Sequence, residues 1–357
     1  MTATVYVFRC SENTSHEDQA KGLLRLFDAA GFSAILPKSG IVAIKTHFGE
    51  GSCAGYPKPH LTKAIVERLN DLHLRPFVTD TNTLYRGNRH NSVEHLRQAR
   101  EHGFTFESLG CPVIISDGLR GNNDEEVEID GGYFKRVPIA GDICRSNGMV
   151  VLTHLTGHLA SGFGASIKNV SMGCASRRGK MMMHSSLKPW VDKNRCVACG
   201  ECVSHCPEDA ISLGKSAEID HEICIGCGEC LTVCPEMAVE FSWKQESRVM
   251  QEKMAEVALA TRKVLHGRIV YFNVLTQVTK DCDCIDRKQK PVGPDVGIMA
   301  SSDPVALDRA SLDAFKAGAG MPLHELSYPK IDGEEIFPYA AKMGLGSSAY
   351  TLEEVGI

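Results

Sequence analysis

The sequence predicts an α/β fold: a largely parallel sheet with helices on both faces, interrupted by a small inserted cysteine-rich domain. Two observations predict it. Apolar strands alternate with amphipathic helices on either side of residues 188–243, the pattern of a sheet covered on both faces. Inside that interval the alternation stops and eight cysteines recur at fixed spacing. The expected organisation is a host domain in two parts, 1–187 and 244–357, around an insert at 188–243.

Taken in order, "ATVYVF" is a strand and "HEDQAKGLLRLFDAAG" an amphipathic helix stopped by Gly31. "IVAIKTHF" is the next strand, followed by the helix "PHLTKAIVERLNDL", which Pro59 opens. "RPFVTDT", "PVIISDG" and "GMVVLTHL" continue as strands, with "SVEHLRQAREHG" as an intervening helix. "EEVEIDGGYFKRVPIAGD" reads as a hairpin around a Gly-Gly turn, so some antiparallel structure is expected. Beyond the insert come a helix from about Glu246 to Leu265, the strands "RIVYFNVLT" and "DVGIMAS", and a helix capped by Asp303 with Pro304 in its first turn.

A chain of 357 residues, 43% hydrophobic and 23% charged, can bury a substantial core in two or three units. The net charge of -5 argues against nucleic-acid binding, which favours a basic face. No segment approaches the roughly 18 apolar residues of a membrane span, and "MTATVYVFRC" reads as a strand rather than a signal peptide. Fifteen cysteines without a secretion signal point to metal or redox chemistry in a reducing cytoplasm. Oligomeric state is not legible.

Cys196, Cys199, Cys202 and Cys206 form C-x2-C-x2-C-x3-C followed by Pro207; Cys224, Cys227, Cys230 and Cys234 repeat it 28 positions later, before Pro235. This is the spacing of bacterial two-cluster ferredoxins, in which the fourth cysteine of each run serves the other cluster. The expected ligand sets for two 4Fe-4S clusters are therefore Cys196, Cys199, Cys202 and Cys234 for one, and Cys206, Cys224, Cys227 and Cys230 for the other. Three thiolates on a tight loop reach three irons of a cube, while the fourth comes from a segment crossing from the opposite side. Gly200 and Gly228 permit close backbone approach. A pair of zinc knuckles is the competing reading, disfavoured by the duplicated C-x3-C-P ending.

In open α/β sheets ligands gather outside the carboxyl ends of strands. Those ends carry Lys45, His47 and Glu50, then Asp80, then Asp117, then His154 and His158. A functional cleft and a merely solvated rim both fit. The segment "HLTGHLASGFGASIKNVSMGCASRRGKMMMH", His154 to His184, deepens the question. Histidine suits proton transfer near neutrality and borderline metals. Lys168 in its glycine-rich surroundings can meet an anion, with Gly162 and Gly164 letting backbone amides approach a ligand. His158, Lys168, His154 and His47 are thus the candidate catalytic groups. Hydrogen-bonded core histidines are the alternative. Arg177, Arg178 and Lys180 read as an anion-binding or partner-docking loop or, preferably, as a solvated face, and Met181 to Met183 as core filler.

"TKDCDC" sets Cys282 and Cys284 two apart, on one face if the chain is extended, with Asp283 pointing away unless the turn is tight. The pair could seed an additional metal site completed by Cys174, His184 or Asp281, or could line a hydrophobic seam. Cys10, Cys53, Cys111 and Cys144 read as structural.

"HLASGFGASIKNVSMGCASRRGKMMMHS" ahead of the cysteine repeat, with "KTHFGEG", "DCDC" and "GIMASSDPVALDRA", resembles the family known as domain of unknown function 362. That resemblance covers nearly the whole chain and implies a ferredoxin-bearing protein whose reaction is largely unassigned. A second resemblance is narrower. His158, Gly162, Phe163, Gly164 and Lys168, with His184 sixteen residues on, are similar in spacing to the nickel-pincer lactate racemases. It implies Lys168 as anchor of a pyridinium-derived organic metal cofactor, His158 as acid or base, and His184 as metal ligand. The turn "GASI" and the insert depart from that family.

The function expected from these residues is electron transfer through two 4Fe-4S clusters to or from a ligand or metal cleft in the host domain, as an oxidoreductase. A redox partner protein and a small-molecule substrate are implied. One alternative is an electron carrier or adaptor docking on a larger redox complex. The other is a racemase-like enzyme using an organic metal cofactor at Lys168.

Overall fold

The computed structural model describes residues 2–184, 188–224, 226–242 and 246–356. The expected boundaries at 187/188 and 243/244 each touch residues outside that set, as does Ser185 of the motif above.

Before the insert the chain forms β1 (Ala3–Phe8), α1 (His16–Ala29), α2 (Phe32–Ile35), β2 (Ile41–Lys45), α3 (Pro59–Asp71), β3 (Arg75–Asp80), α4 (Ser92–Glu101), α5 (Phe106–Leu109) and β4 (Val113–Ile115). The hairpin β5 (Asp124–Glu128) and β6 (Arg136–Ala140) follows, then α6 (Gly141–Cys144), β7 (Gly148–His158), β8 (Gly162–Gly164), α7 (Ser166–Met172) and α8 (Arg177–His184). The cysteine-rich interval holds β9 (Trp190–Val191), α9 (Glu201–Ser204), β10 (Ile211–Leu213), β11 (Ala217–Ile219), α10 (Glu229–Val233) and β12 (Val239–Glu240). The chain ends with α11 (Ser247–Val264), β13 (Ile269–Thr279), β14 (Gly297–Ser301), α12 (Pro304–Ala319), α13 (Leu323–Ser327), α14 (Ile336–Lys342) and β15 (Tyr350–Glu354).

One sheet runs in the order β15-β1-β14-β13-β7-β2-β3-β4, with β8 paired onto β7. Every neighbouring pair along it is parallel except the two that β14 makes, with β1 and with β13. Strands from both sides of the cysteine-rich interval thus share the sheet, since β13 lies directly beside β7.

Successive side chains of a strand point to opposite faces, and here both faces are apolar. Met149, Val151 and Leu155 of β7 join Ile269, Tyr271 and Leu275 of β13 under α7, α11, α12 and α14. Val150 and Leu152 join Val270, Phe272 and Val274 under α1, α2 and α3. That is why these strands read as continuous apolar runs: the central pair is shielded from water on both sides. Exposed, polar β15 carries no such run and was not legible as a strand.

Local signals hold at the element ends. Gly31 takes a left-handed φ of 63° just past α1, and Asp303 accepts the amides of Val305 and Ala306 at the start of α12 while also holding Ser347 N at 2.8 Å. Replacing Asp303 with alanine is expected to cost about 0.5–2 kcal/mol, read as a lower urea midpoint. An unchanged midpoint would remove the cap from the stabilising contacts.

Two strands outrun their expected ends. β7 extends to His158 because β8 folds back on it, Thr156 opposite Gly164 and His158 opposite Gly162. β13 extends to Thr279 through a bulge: its register against β7 slips between Val274 and Thr279, with Gln277 at φ 55°. A bulge bends a strand and re-aims its groups, and this one delivers the chain to Cys282.

Candidate functional site

The carboxyl ends of β2, β3 and β7, with α7, α8 and the loop after β13, enclose a cavity of about 480 Å³. It brings together Lys45, His47, Asp80, His154, His158, Lys168, His184, Cys282 and Cys284 from the sequence-derived candidates. Glu50, Asp117 and Cys174 do not line it.

Asp283 organises one wall. Its Oδ2 accepts Nδ1 of His154 at 2.8 Å and lies 3.4 Å from Nε2 of His47, while Cys53 donates its thiol to Oδ1 at 3.4 Å. The second ring nitrogen of His154 donates to the Thr276 carbonyl at 2.9 Å, on the bulge of β13. With both nitrogens facing oxygen acceptors, His154 is set up as an imidazolium: burial opposes the charge, but Asp283 and Thr276 outweigh it and raise the pKa. That suits hydrogen-bond donation better than proton acceptance. His47 is pushed down to about 3, by burial first, and so stands neutral.

The residues flanking Asp283 supply two sulfurs to the same cavity. Lys168 Nζ lies 3.3 Å from Cys282 Sγ. The bond from Cys284, more than the nearby Lys168 charge, pulls the Cys282 pKa down to about 6, while Cys284 is pushed up. His158, Cys282 and Cys284 present ligand atoms all within 4.8 Å of one another. The structure therefore brings His158 to the cysteine pair, whereas Cys174 is fully buried in the main core and Asp281 is engaged by Arg287 and Tyr328. His158 Nδ1 meets the Ser161 hydroxyl at 2.9 Å and its amide at 3.1 Å. Burial, then Lys168, holds the His158 pKa well down; His184, half-buried at the end of α8, is likewise lowered to about 3 by burial and then Lys168.

Part of the cavity lining is a network of buried charge. Lys45 Nζ reaches Asp80 at 3.1 Å, Asn169 Oδ1 at 2.5 Å and the Thr46 carbonyl at 2.6 Å. Arg89 bonds Glu50 at 2.9 Å and lies 3.4 Å from Asp80. Lys180 donates to Thr81 Oγ1 at 2.6 Å and to the Ala175 carbonyl at 2.7 Å.

These contacts correct the expectation that Arg177, Arg178 and Lys180 form a solvated face. Arg177 and Lys180 are buried, and Arg178 pairs with Asp124, Glu126 and Glu229. The reason is tertiary: α8 is covered by β6, α10 and α11, so its basic groups turn toward acidic partners. Met181 and Met183 are buried as expected. Gly162 also has a different reason from the one anticipated. At φ 77° a side chain there would strike Gly333, 2.6 Å away, so it serves packing, while Gly164 does line the cavity.

In the insert, Cys196, Cys199, Cys202 and Cys234 surround one small cavity. Cys206, Cys224, Cys227 and Cys230 surround a second. The duplication extends to the backbone, with left-handed φ at Ala198 and Gly226, Gly200 and Gly228, and Asp209 and Met237, each pair 28 apart. Backbone amides donate to sulfur from Ala210 to Cys206, Ala217 to Cys196 and Ala238 to Cys234, at 3.3, 3.3 and 3.2 Å. Amides aimed at sulfur stabilise thiolates and tune clusters. β9 pairs with β12 to bring the ends of the insert together.

The family model described as Domain of unknown function (DUF362) matches residues 42–313. The chain belongs to that family. Within this DUF362 chain the match spans every residue named above as lining the cavity and both cysteine runs. Pyruvate synthase subunit PorD of Methanothermobacter marburgensis is 36% identical over 59 residues, 16% of this chain and 67% of that one. Two solved structures are similar: the lactate racemase apoprotein from Thermoanaerobacterium thermosaccharolyticum, at 12% identity and TM-score 0.40, and a Thermotoga maritima protein, at 11% and 0.43. They cover 85% and 89% of the DUF362 chain, which spans only 55% and 59% of theirs.

Sequence reasoning missed Asp283 as a partner of His154 and placed Cys53 among structural thiols. An extended chain would point Asp283 away from the cysteine face; the turn after β13 aims it inward instead. Arg89 and Tyr85, which also line the cavity, sit in a loop without periodic signal. No helix among the described residues is long and apolar enough to cross a membrane.

Proposed function

We propose that this protein transfers electrons through two 4Fe-4S clusters in the 188–243 insert to or from a ligand held in the host cavity, as an iron–sulfur oxidoreductase. The cysteine sets fit such clusters: four thiols gather at each of two cavities, amides point at four of the sulfurs, and glycines with left-handed φ open the loops. Cys196, Cys199, Cys202 and Cys234 would hold one cluster, and Cys206, Cys224, Cys227 and Cys230 the other.

The observation that carries the reading is the position of α8. Met181 packs in one apolar cluster with Leu84, Cys202 and Cys230, while Lys180 and His184 of the same helix line the cavity, as does Leu84 itself. A Cβ on Gly228 would come within 2.9 Å of Met181 Cε. One helix thus separates the proposed clusters from the host cavity. The cavity suits an anionic small molecule, since its lining includes the basic Lys45, Arg89, Lys168 and Lys180 against the carboxylates of Asp80 and Asp283.

The PorD similarity supports a second reading, in which the insert serves a larger redox complex and the host domain docks on it. Convergence of His158, Lys168 and His184 in one cavity is compatible with an organic metal cofactor at Lys168, which a mass adduct on denatured protein would reveal. Anaerobically purified protein is expected to hold about eight irons and eight sulfides per chain. Zinc in their place, or iron near zero after reconstitution, would sink the cluster reading.

A further inference from the structure

The geometry points to a separate mononuclear metal centre in the host cavity, ligated by His158, Cys282 and Cys284 and suited to a borderline divalent ion of the zinc class. It stands whether or not the insert carries clusters. The three donors come from two distant parts of the chain, the end of β7 and the loop after the β13 bulge, yet their ligand atoms lie within 4.8 Å of one another. His158 and Cys282 are buried, so the group is not a chance meeting of surface side chains.

The donor chemistry selects the ion. Two thiols and an imidazole favour zinc or a late transition metal over calcium or magnesium, which take oxygen. The surroundings are those of a ligand set. Ligation through Nε2 requires the ring proton on Nδ1, and Ser161 Oγ, which gives its own proton to the Phe163 carbonyl, lies 2.9 Å away to accept it and fix the ring. Lys168 at 3.3 Å from Cys282 supplies a positive charge beside sulfur. Asp283, between the cysteines, is turned to His154 and stays out of the ligand set.

Three protein ligands leave a fourth tetrahedral position, and here it opens on the 480 Å³ cavity. Structural zinc sites are closed by four protein ligands, whereas three with an open position characterise sites that bind a water or substrate. The centre would therefore take an anionic or carbonyl oxygen of a small molecule, with Lys168 beside it.

The test uses the full chain, purified anaerobically, with iron measured on the same sample and zinc(II) alone as probe. Binding is read by competition with a chromophoric chelator and by zinc-edge X-ray absorption, to which iron is invisible. One zinc per chain is expected, with two sulfurs at about 2.3 Å and nitrogen at about 2.0–2.1 Å. Cys282→Ser, Cys284→Ser and His158→Gln should each weaken it by about 100-fold or more, and Ser161→Ala by about 10–100-fold. Cys144→Ser, remote from the cavity, should leave zinc affinity unchanged. The proposal is overturned by absence of a tight zinc, by a four-sulfur shell, by retention of the zinc in the Cys282 and Cys284 variants, or by a native Cys282–Cys284 disulfide on peptide mapping. The wild-type absorption spectrum alone decides the ligand shell should a variant fail to fold. Failure of the cluster reading is seen separately, in the iron count.

Discussion

Replacing Cys199 and Cys234 together with serine is expected to remove one 4Fe-4S cluster and spare the other, so that iron falls from about eight to about four per chain. Replacing Cys199 and Cys206 together is expected to damage both. The asymmetry follows from the fold: Cys199 and Cys234 line one cavity, Cys206 the other. If each cysteine run served its own cluster, the outcomes would be exchanged, and the iron counts of the two double variants would say so. The host should keep its far-ultraviolet circular dichroism in both, because the cysteine-rich interval packs in a cluster that takes only Leu84 and Met181 from the host among its buried residues, distinct from the two that flank the main sheet.

Asp80→Asn is expected to destabilise the protein by about 3–5 kcal/mol at pH 7, the range for removing one partner of a buried ion pair. Asp80 is buried and faces Lys45 at 3.1 Å and Arg89 at 3.4 Å. Without it, Lys45 loses its carboxylate and Arg89 keeps Glu50 as its carboxylate partner. The pH dependence has a definite sign. Burial would raise the Asp80 pKa, but Lys45, then His95 and Arg89, hold it below the ordinary carboxylate range. Its contribution is therefore fully present above the unfolded value of about 3.9 and is lost as pH falls through the lower folded value. Urea unfolding of the wild type should weaken below pH about 4, and the variant should lack that component. A loss under about 1 kcal/mol at pH 7 would mean that water reaches the pair and screens it.

The buried charges also constrain the cavity. Asn169 on α7 shares Lys45 with Asp80, and Lys180 on α8 reaches Thr81 just after β3. The helices that carry Lys168 and His184 are thereby tied to the strand ends that carry His47 and Asp80. A cavity lined from so many elements holds its geometry only if those ties are made, so Asp80→Asn should also loosen any ligand bound there.

The sequence by itself determined the elements and the cysteine spacing, because both are local. The continuous apolar runs of β7 and β13, Gly31 after α1, Asp303 before α12 and the 28-residue repeat of C-x2-C-x2-C-x3-C are each set by neighbours within a turn or a strand. The parallel sheet was legible for the same reason, as apolar runs alternating with helices. Its C-terminal edge strand β15 was not, since an exposed edge needs no apolar pattern. Tertiary structure alone decided the partners. His154 meets Asp283 across 129 residues, His158 rather than Cys174 meets the Cys282 pair, and Lys180 turns inward because other elements cover α8. A side chain's protonation and ligands depend on which groups lie within a few ångströms of it, and in this fold those groups come from distant parts of the chain, joined only when β13 closes against β7.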